Sequence, residues 1–259
     1  MQHELFKKFT PIIQTLSQSE LNGAPSLNER LRITQDGPLE VCYVPFEHIN
    51  TNARVVIVGI TPGRTQMINA IQEARRQLDA GSDGTTTLAA AKKVGAFSGA
   101  MRPNLCNLLN HVGINRWLGI HSCEELFGNA ADLVQTTSVL RNAVFFNGAN
   151  YNGSPNMVRH LVLRDQLLTQ FGEDAKALPQ AVFIPLGDKV AEALRFIADQ
   201  GLMKHERILD GLPHPSGANA ERIAYFLGRK ERSGLSVKTD PVKLDRVRGS
   251  MMEKVAALS

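Results

Sequence analysis

Cysteine is scarce in this chain of 259 residues, which contains three: Cys42, Cys106 and Cys123. An odd number without CxxC spacing argues against a disulfide framework and a four-cysteine iron-sulfur cluster, and it suits a reducing compartment. The residue types of a zinc site are present in Cys106, His111, His121 and Cys123. Their spacing matches no familiar zinc finger, and the leucines around Cys106 favour burial. We therefore expect a cytoplasmic protein without a metal or another cofactor.

Long apolar runs are also missing. No segment approaches the ~18 consecutive apolar residues that a membrane span needs. The apolar residues of segment 1–20 are interrupted, so the segment lacks the apolar core of a signal peptide. The hydrophobic fraction of 43% and the charged fraction of 21% are those of an ordinary globular protein. We expect a soluble protein with no membrane partner.

Positive charge is modest overall and unevenly distributed. The formal net charge is +4, and residues 221–259 hold nine Lys or Arg against five Asp or Glu. A basic segment of this kind is typical of a surface that binds a polyanion. A solvated C-terminal face explains the same composition, so both interpretations stay open.

Three short β-rich apolar runs, at 53–60, 143–148 and 181–187, each end in or next to glycine. Their continuous apolar character is typical of strands covered on both faces. Residues 188–200 follow the third run with helical spacing, and 156–171 follow the second in the same way. This alternation predicts a three-layer α/β/α fold with a mostly parallel central sheet.

The remaining segments complete a single predicted domain. Segment 38–47 predicts an edge strand, because Pro45 cannot donate to a central ladder. Segment 79–93 has loop composition and predicts a mobile insertion. We expect one domain, 1–259, made of an N-terminal helical region with the edge strand (1–50), a core (51–228) and a basic C-terminal extension (229–259).

A stiff turn, GITPG, follows the first predicted strand. Gly59 and Gly63 permit close backbone approach, while Pro62 fixes φ and removes one N–H, so the remaining amides can face a ligand. A plain strand-to-helix turn explains the same residues. The sequence has neither GxGxxG nor GK[ST], which disfavours nucleotide binding by a glycine-rich phosphate loop.

A second stiff turn, HPSGAN, precedes a predicted helix start. The prolines on both sides of His214 restrict the backbone and hold the imidazole in one direction. Ser216, Gly217 and Asn219 supply a hydroxyl, an open amide and an N-cap-like side chain, a set suited to one phosphate. An ordinary turn with a capping residue is the alternative.

Taken in order, these segments resemble the uracil-DNA glycosylase superfamily over roughly residues 55–228. VVIVGITPG is similar to that family's first motif, a strand followed by GxxPG, and LPHPSGAN is similar to its HPS loop. Between them, GAFSGAMRPNLCNLLNHVGI is similar to the stretch that carries a base-stacking aromatic residue, here Phe97. TTSVLRN resembles the segment with the base-reading residue, here Ser138, and AVFIPLGDKVAEAL resembles the late strand, turn and helix.

The resemblance implies a monomeric DNA glycosylase that flips one nucleotide out of DNA and hydrolyses the N-glycosidic bond of uracil or another altered pyrimidine. His214 would stabilise the anionic leaving base, and Thr61 would hold the attacking water. The base would be contacted by Ile60, Phe97, Ser138 and Asn147. The DNA backbone would be contacted by Pro62, Gly63, Ser216, Gly217 and Asn219.

Two of these segments depart from the family pattern. An Asp, Asn or Glu usually lies in the first motif, but Ile60 and Thr61 occupy its middle here, and neither is a strong base. Ser138 stands where asparagine is frequent, so it reads less of a uracil edge and leaves room for a larger base. Asn147, with Asn150 and Asn152, could supply the missing amide, or form an ordinary Asn-Gly turn.

These departures keep two alternatives to the glycosylase hypothesis open. One is a non-catalytic protein of the same fold that recognises DNA or a modified base. The other is an α/β nucleotide-binding enzyme that acts on small molecules.

Overall fold

The structure, a computed structural model, describes residues 3–95 and 101–258. The chain divides into two compact units. The first unit comprises Met1–Ile49, Ile60–Ala96 and Thr137–Asp174, and the second comprises Asn50–Gly59, Phe97–Thr136 and Ala175–Ser259.

The helices and strands account for most of the described residues. The helices are α1 (Glu4–Gln14), α2 (Gln18–Leu21), α3 (Ser26–Leu31), α4 (Arg64–Asp79), α5 (Gly84–Gly95), α6 (Met101–His111), α7 (Ile114–Leu118), α8 (Leu161–Gln166), α9 (Gly172–Lys176), α10 (Asp188–Asp199), α11 (Ala220–Phe226) and α12 (Pro241–Ala256). The strands are β1 (Arg32–Asp36), β2 (Leu39–Cys42), β3 (Val55–Gly59), β4 (Val134–Ser138), β5 (Ala143–Phe146), β6 (Ala149–Asn150) and β7 (Val182–Pro185). A π-helical turn, Leu167–Phe171, follows α8 directly.

The second unit is built on a sheet in the order β4-β3-β7, although the last two residues of β4, Thr137 and Ser138, belong to the first unit. β3 and β7 run parallel, with Val55 opposite Val182 and Ile57 opposite Ile184. These side chains are buried with apolar residues of the flanking helices, among them Leu105 and Leu109 of α6 and Ile223 and Phe226 of α11. The predicted α/β class, with helices packed on parallel strands, is confirmed and is consistent with the three-layer arrangement.

The first unit contains an antiparallel sheet in the order β1-β2-β5-β6, which the sequence pattern did not predict. The prediction of an edge strand in segment 38–47 was wrong, because β2 pairs with β1 on one side and β5 on the other. Pro45 does not exclude a central strand, since β2 ends at Cys42 and the proline needs no ladder hydrogen bond. On the core side, Phe9 stacks on Tyr43 with ring centroids 4.5 Å apart.

The prediction of a mobile insertion at 79–93 was also wrong. Most of that segment is helix α5, which Asp83 caps by accepting a hydrogen bond from the Thr86 amide at 2.8 Å. Leu88 and Ala91 are fully buried in the core of the first unit. The polar run of Ser, Asp and Thr is therefore a helix start followed by an apolar face.

The basic C-terminal segment folds onto the second unit. Helix α12 buries Leu244, Met251 and Val255 in the core cluster of that unit. Asp240 caps the helix by accepting a hydrogen bond from the Lys243 amide at 3.0 Å. Across the two described ranges, no helix has the length and apolar character needed to cross a membrane.

Candidate functional site

Thr61, in the first unit, anchors the GITPG turn. Its hydroxyl donates a hydrogen bond to the Asn142 carbonyl at 2.8 Å and accepts one from the Val144 amide at 3.0 Å. A hydroxyl has one hydrogen and two lone pairs. One lone pair therefore remains for a further partner, and no hydrogen does.

The neighbouring residues of the turn are held by backbone and capping contacts. The Ile60 carbonyl accepts a hydrogen bond from the Leu140 amide at 3.0 Å, and Pro62 is buried. Gly63 is the N-cap of α4, and its amide donates to Gln66 Oε1 at 3.0 Å. The predicted helix start after this turn is confirmed, and the Gly63 amide is already paired within the helix that it begins.

The asparagines after β5 have structural roles. Asn147 is exposed and has a φ of +50°, so that with Gly148 it forms the two-residue turn between β5 and β6. Asn150 accepts a hydrogen bond from the Arg64 amide at 3.0 Å, which satisfies a donor at the start of α4. Ser138 is the half-buried last residue of β4.

Asn142 was missed by the sequence reasoning, although it organises this side of the first unit. It is 1% exposed, and its side-chain oxygen accepts from the Val44 amide at 3.2 Å. Its side-chain nitrogen donates to Gln170 Oε1 at 2.9 Å, while its carbonyl accepts from Thr61. Asparagine is common in turns, so the presence of an asparagine at position 142 does not by itself indicate this role.

A group of largely buried ionisable side chains lies next to Asn142 in the first unit: Tyr43, Glu47, Lys92, Arg141 and Asp174. Burial lowers the pKa of Lys92 to about 8, while Asp174 acts in the opposite direction. Lys92 donates to the Phe46 carbonyl at 3.0 Å, and Arg141 pairs with Asp174 at 2.9 Å. These bonds satisfy charges that would otherwise be costly to bury.

His214, in the second unit, lies beside the carboxyl end of β7. A Cβ built on Gly187, two residues after that strand, would lie 3.8 Å from Cδ2 of the imidazole. Gly187 has φ 101° and ψ 163°, a backbone conformation that is essentially restricted to glycine. Ligand sites of parallel sheets gather at this end of the strands.

The imidazole of His214 has a defined hydrogen-bonding role. Its Nδ1 accepts a hydrogen bond from the Ser216 amide at 3.3 Å, and burial lowers the pKa of the ring. The ring is therefore neutral near pH 7, with its proton on Nε2. Nearby, Asn104 of α6 donates to the Pro215 carbonyl at 3.0 Å, which fixes the turn after the histidine.

The rest of HPSGAN forms a short 3-10 turn, Gly217–Asn219, which leads into α11 as predicted. The Ser216 hydroxyl accepts from the Asn219 side chain at 3.2 Å, and Asn219 in turn accepts from Arg222 at 3.1 Å. Gly217 is exposed, and a Cβ at that position would meet no atom within 4 Å. The backbone of Gly217 therefore has open space beside it.

Glu221 ties the segment after α11 to the start of that helix. Its carboxylate accepts hydrogen bonds from Lys230 at 2.8 Å and from Ser236 and Thr239. These donors hold the pKa of Glu221 well below its usual value. Four exposed basic residues of the same unit come after α11 in the sequence: Arg229, Arg232, Lys238 and Arg246.

The expectation that Cys106 is buried is confirmed. Cys106 and Cys123 lie in the core cluster of the second unit, and the Cys106 thiol donates to the Cys123 carbonyl at 3.6 Å. Burial raises the pKa of Cys106 to about 11 and that of Cys123 to about 12. Within the described ranges, no cluster of three or more His, Cys, Asp or Glu could hold a metal ion.

The chain is similar in sequence to a known protein along most of its length. The chain is 31% identical over 242 residues to a Bacillus subtilis (strain 168) protein named uncharacterized protein YoxB, covering 92% of this chain and 94% of YoxB. It belongs to the YoxB family. No family model matches the chain, and no solved structure matches it.

The candidate residues of this YoxB family member are distributed over both units. Ile60, Thr61, Pro62, Gly63, Ser138 and Asn147 belong to the first unit, and His214, Ser216, Gly217 and Asn219 belong to the second. The expected base-stacking residue, Phe97, lies outside the described residues. The YoxB match spans both groups, and each group can be tested separately.

Proposed function

We propose that this protein is a DNA glycosylase of the uracil-DNA glycosylase type, which hydrolyses the N-glycosidic bond of uracil or another altered pyrimidine. The observation that carries the proposal is the neutral His214, whose Nδ1 is occupied by the Ser216 amide. An Nε2–H donor beside the end of a parallel strand suits an anionic leaving group. The order of the five family-like segments supports the same reaction.

In the proposed reaction, the bond between C1′ and the base breaks as water adds to C1′. The bonding electrons pass to the base, and negative charge develops on its O2. The proton that the added water releases passes to solvent, from which the departed base is protonated. His214 donates a hydrogen bond from Nε2 to O2 and keeps its proton, so the ring stays neutral. Removing one preorganised donor of this type typically costs about 10²–10³ in rate.

In this proposal, as in the family resemblance, Thr61 positions the attacking water. The Thr61 hydroxyl has one lone pair left after its two backbone hydrogen bonds. It can accept a hydrogen bond from a water and orient it, but it cannot remove a proton. Stabilisation of the leaving base therefore carries most of the catalysis in this proposal.

DNA binding is proposed for the second unit. The open backbone of Gly217 can approach a phosphate, and the exposed cations Arg229, Arg232, Lys238 and Arg246 supply positive charge. Flipping the target nucleotide costs a few kcal/mol, which contacts to the base and backbone must offset.

His214→Ala tests the proposal. We expect excision from uracil-containing or modified oligonucleotides to fall about 100-fold or more, while DNA affinity stays within about twofold of wild type. His205→Ala is the matched control, because His205 is exposed and bonded to Asp199 in the same unit. A wild-type protein that releases no free base from a panel of altered pyrimidines would refute the catalytic proposal.

A second candidate function is recognition of an altered base without catalysis. The observation that favours it is the use of the single Thr61 hydrogen in a backbone contact. Under this hypothesis, wild type binds altered-base DNA tightly without turnover, and Thr61→Asn does not restore cleavage. Cleavage gained by Thr61→Asn would instead indicate an enzyme that lacks only a better water-positioning group.

A further inference from the structure

A polar cavity of about 380 Å³ lies in the first unit, and its charged side chains are Glu29, Arg32, Glu40 and Arg64. Sites for small molecules typically measure about 300–1,000 Å³. Glu29 and Arg32 are exposed, so the cavity opens to solvent. The arrangement of these charges indicates which class of ligand the cavity can hold.

Arg32 and Glu40 neutralise each other. Nε and Nη2 of Arg32 each lie 2.7 Å from Oε1 of Glu40. The other carboxylate oxygen, Oε2, accepts a hydrogen bond from the side-chain nitrogen of Asn28 at 2.7 Å. Both oxygens of Glu40 therefore already have protein donors.

Arg64 carries a positive charge without a carboxylate partner in the described part of the chain. Its Nη1 donates to the side-chain oxygen of Asn28 at 3.0 Å, and its Nη2 donates to the Gly148 carbonyl at 3.3 Å. Both acceptors are neutral. A guanidinium has five N–H donors, of which these bonds use two. A positive charge of this kind at the wall of a cavity favours an anion.

The guanidinium of Arg64 is held in place by its neighbours. Its Cζ lies 4.3 Å from the centroid of the Phe145 ring. Phe145 is fully buried, and the Asn28 side chain that accepts from Arg64 belongs to a residue that is 7% exposed. A planar fork fixed in this way loses little conformational entropy on binding, and its geometry matches two oxygens of a phosphate group.

Glu29 adds a second requirement. Its carboxylate lines the same cavity and can only accept hydrogen bonds. It therefore repels a phosphate and accepts hydrogen bonds from hydroxyl groups. We propose that the cavity binds a small sugar phosphate, with the phosphate on Arg64 and sugar hydroxyls on Glu29. This proposal does not rest on the proposed glycosylase activity.

The test is isothermal titration calorimetry of the full chain with ribose 5-phosphate, ribose and inorganic phosphate. We expect ribose 5-phosphate to bind most tightly, because it alone can use both Arg64 and Glu29. Arg64→Met should weaken its binding about tenfold or more, since charge-assisted hydrogen bonds are lost. Arg76→Met is the matched control, because the exposed Arg76 of the same unit is paired with Glu73 at 2.7 Å. It should change the affinity less than about twofold.

Two further variants separate the roles of the two residues. Glu29→Gln alters an exposed side chain, and it should narrow the preference for ribose 5-phosphate over inorganic phosphate by about threefold, because the amide no longer repels phosphate and accepts hydroxyl groups less strongly. Arg64→Lys keeps the charge and loses the planar fork, so it should weaken the binding of ribose 5-phosphate by about threefold or more. Arg64→Lys decides the role of the fork if Arg64→Met does not fold.

Three results would overturn the inference. The first is a wild type that binds none of the three ligands at millimolar concentration. The second is wild-type affinity in a folded Arg64→Met or, where that variant does not fold, in Arg64→Lys. The third comes from a short oligothymidine as a fourth ligand: binding that depends on Arg64, without binding of ribose 5-phosphate, would assign Arg64 to the DNA backbone instead. An unchanged preference in Glu29→Gln would remove the sugar hydroxyls from Glu29 and with them the sugar phosphate.

Discussion

The backbone amide of Ser216 donates a hydrogen bond to Nδ1 of His214 across 3.3 Å. If Nδ1 were protonated, its N–H would face the N–H of Ser216, and the two hydrogen-bond donors would repel each other. Burial also lowers the pKa of this imidazole. At and somewhat below pH 6.5, His214 therefore binds fewer protons in the folded protein than in the unfolded chain. Its contribution to the free energy of unfolding is present above pH 6.5 and is lost as the pH falls through the lower pKa of the folded protein. We expect the Nε2–H tautomer in nitrogen-15 NMR spectra at pH 6.5, and excision that declines only at lower pH.

Ser216→Pro tests the hydrogen bond itself. Ser216 has a φ of −69°, which proline adopts without strain, so the substitution removes the amide donor and the hydroxyl. Ser216→Ala removes the hydroxyl and keeps the amide. We expect the rate of excision to fall about tenfold in the proline variant relative to the alanine variant. This corresponds to a rise of about 1.4 kcal/mol in the activation free energy when the amide no longer orients the ring. Equal rates in the two variants would show that the amide does not orient the ring.

Thr61→Val should destabilise the first unit. It leaves the Asn142 carbonyl and the Val144 amide without their partner, at about 1–3 kcal/mol for each unsatisfied group. Thr61→Ser keeps the hydroxyl and should lose less than about 1 kcal/mol. Urea denaturation measures both variants. A valine variant as stable as the serine variant would argue against the anchoring role of this hydroxyl.

Gly187→Ala should lower the free energy of unfolding, whereas Gly217→Ala should leave it nearly unchanged. The Gly187 backbone, at φ 101° and ψ 163°, lies in a region that costs about 1–3 kcal/mol for other residues. Gly217 is outside the positive-φ group and has no atom within 4 Å of an added Cβ, so the change should stay within about 0.5 kcal/mol. Thermal denaturation compares the two. Weaker DNA binding by a stable Gly217→Ala would support a backbone contact at that turn.

Glu221→Gln should loosen the segment that follows α11. Hydrogen bonds from Lys230, Ser236 and Thr239 depress the pKa of Glu221, so its stabilising contribution is present above the unfolded value of 4.5 and is lost as pH falls through the folded value. The variant should be less stable than wild type at pH 7, with a difference that narrows in strong acid. Proteolysis near Ser236 offers a second measurement. A difference that does not change with pH would contradict the assignment.

Much of the fold followed from local pattern. The apolar runs became β3, β5 and β7, and α4, α10 and α11 begin after the turns that predicted them, because burial and turn chemistry act over a few residues. The antiparallel pairing of β2 with β5 could not be predicted in this way, since it joins Leu39 to Phe146 across more than a hundred residues. The run of Ser, Asp and Thr before α5 was mistaken for a loop, because those residues favour caps and turns alike.

The candidate site was predictable in part. His214 was chosen for the prolines on both sides of it. Its tautomer is set by the backbone amide of Ser216, which no side-chain pattern in the sequence reveals. Asn142 was missed because its importance comes from partners distant in sequence. In the sequence, an asparagine that bonds to three distant segments cannot be told from one that bonds to none.

The position of Asn142 has an evolutionary consequence. Its side-chain amide accepts from Val44 and donates to Gln170, so aspartate would lose the second hydrogen bond and leucine would lose both. Substitutions at 142 in other YoxB relatives should therefore be accompanied by changes at 170, and the two positions should covary across the lineage.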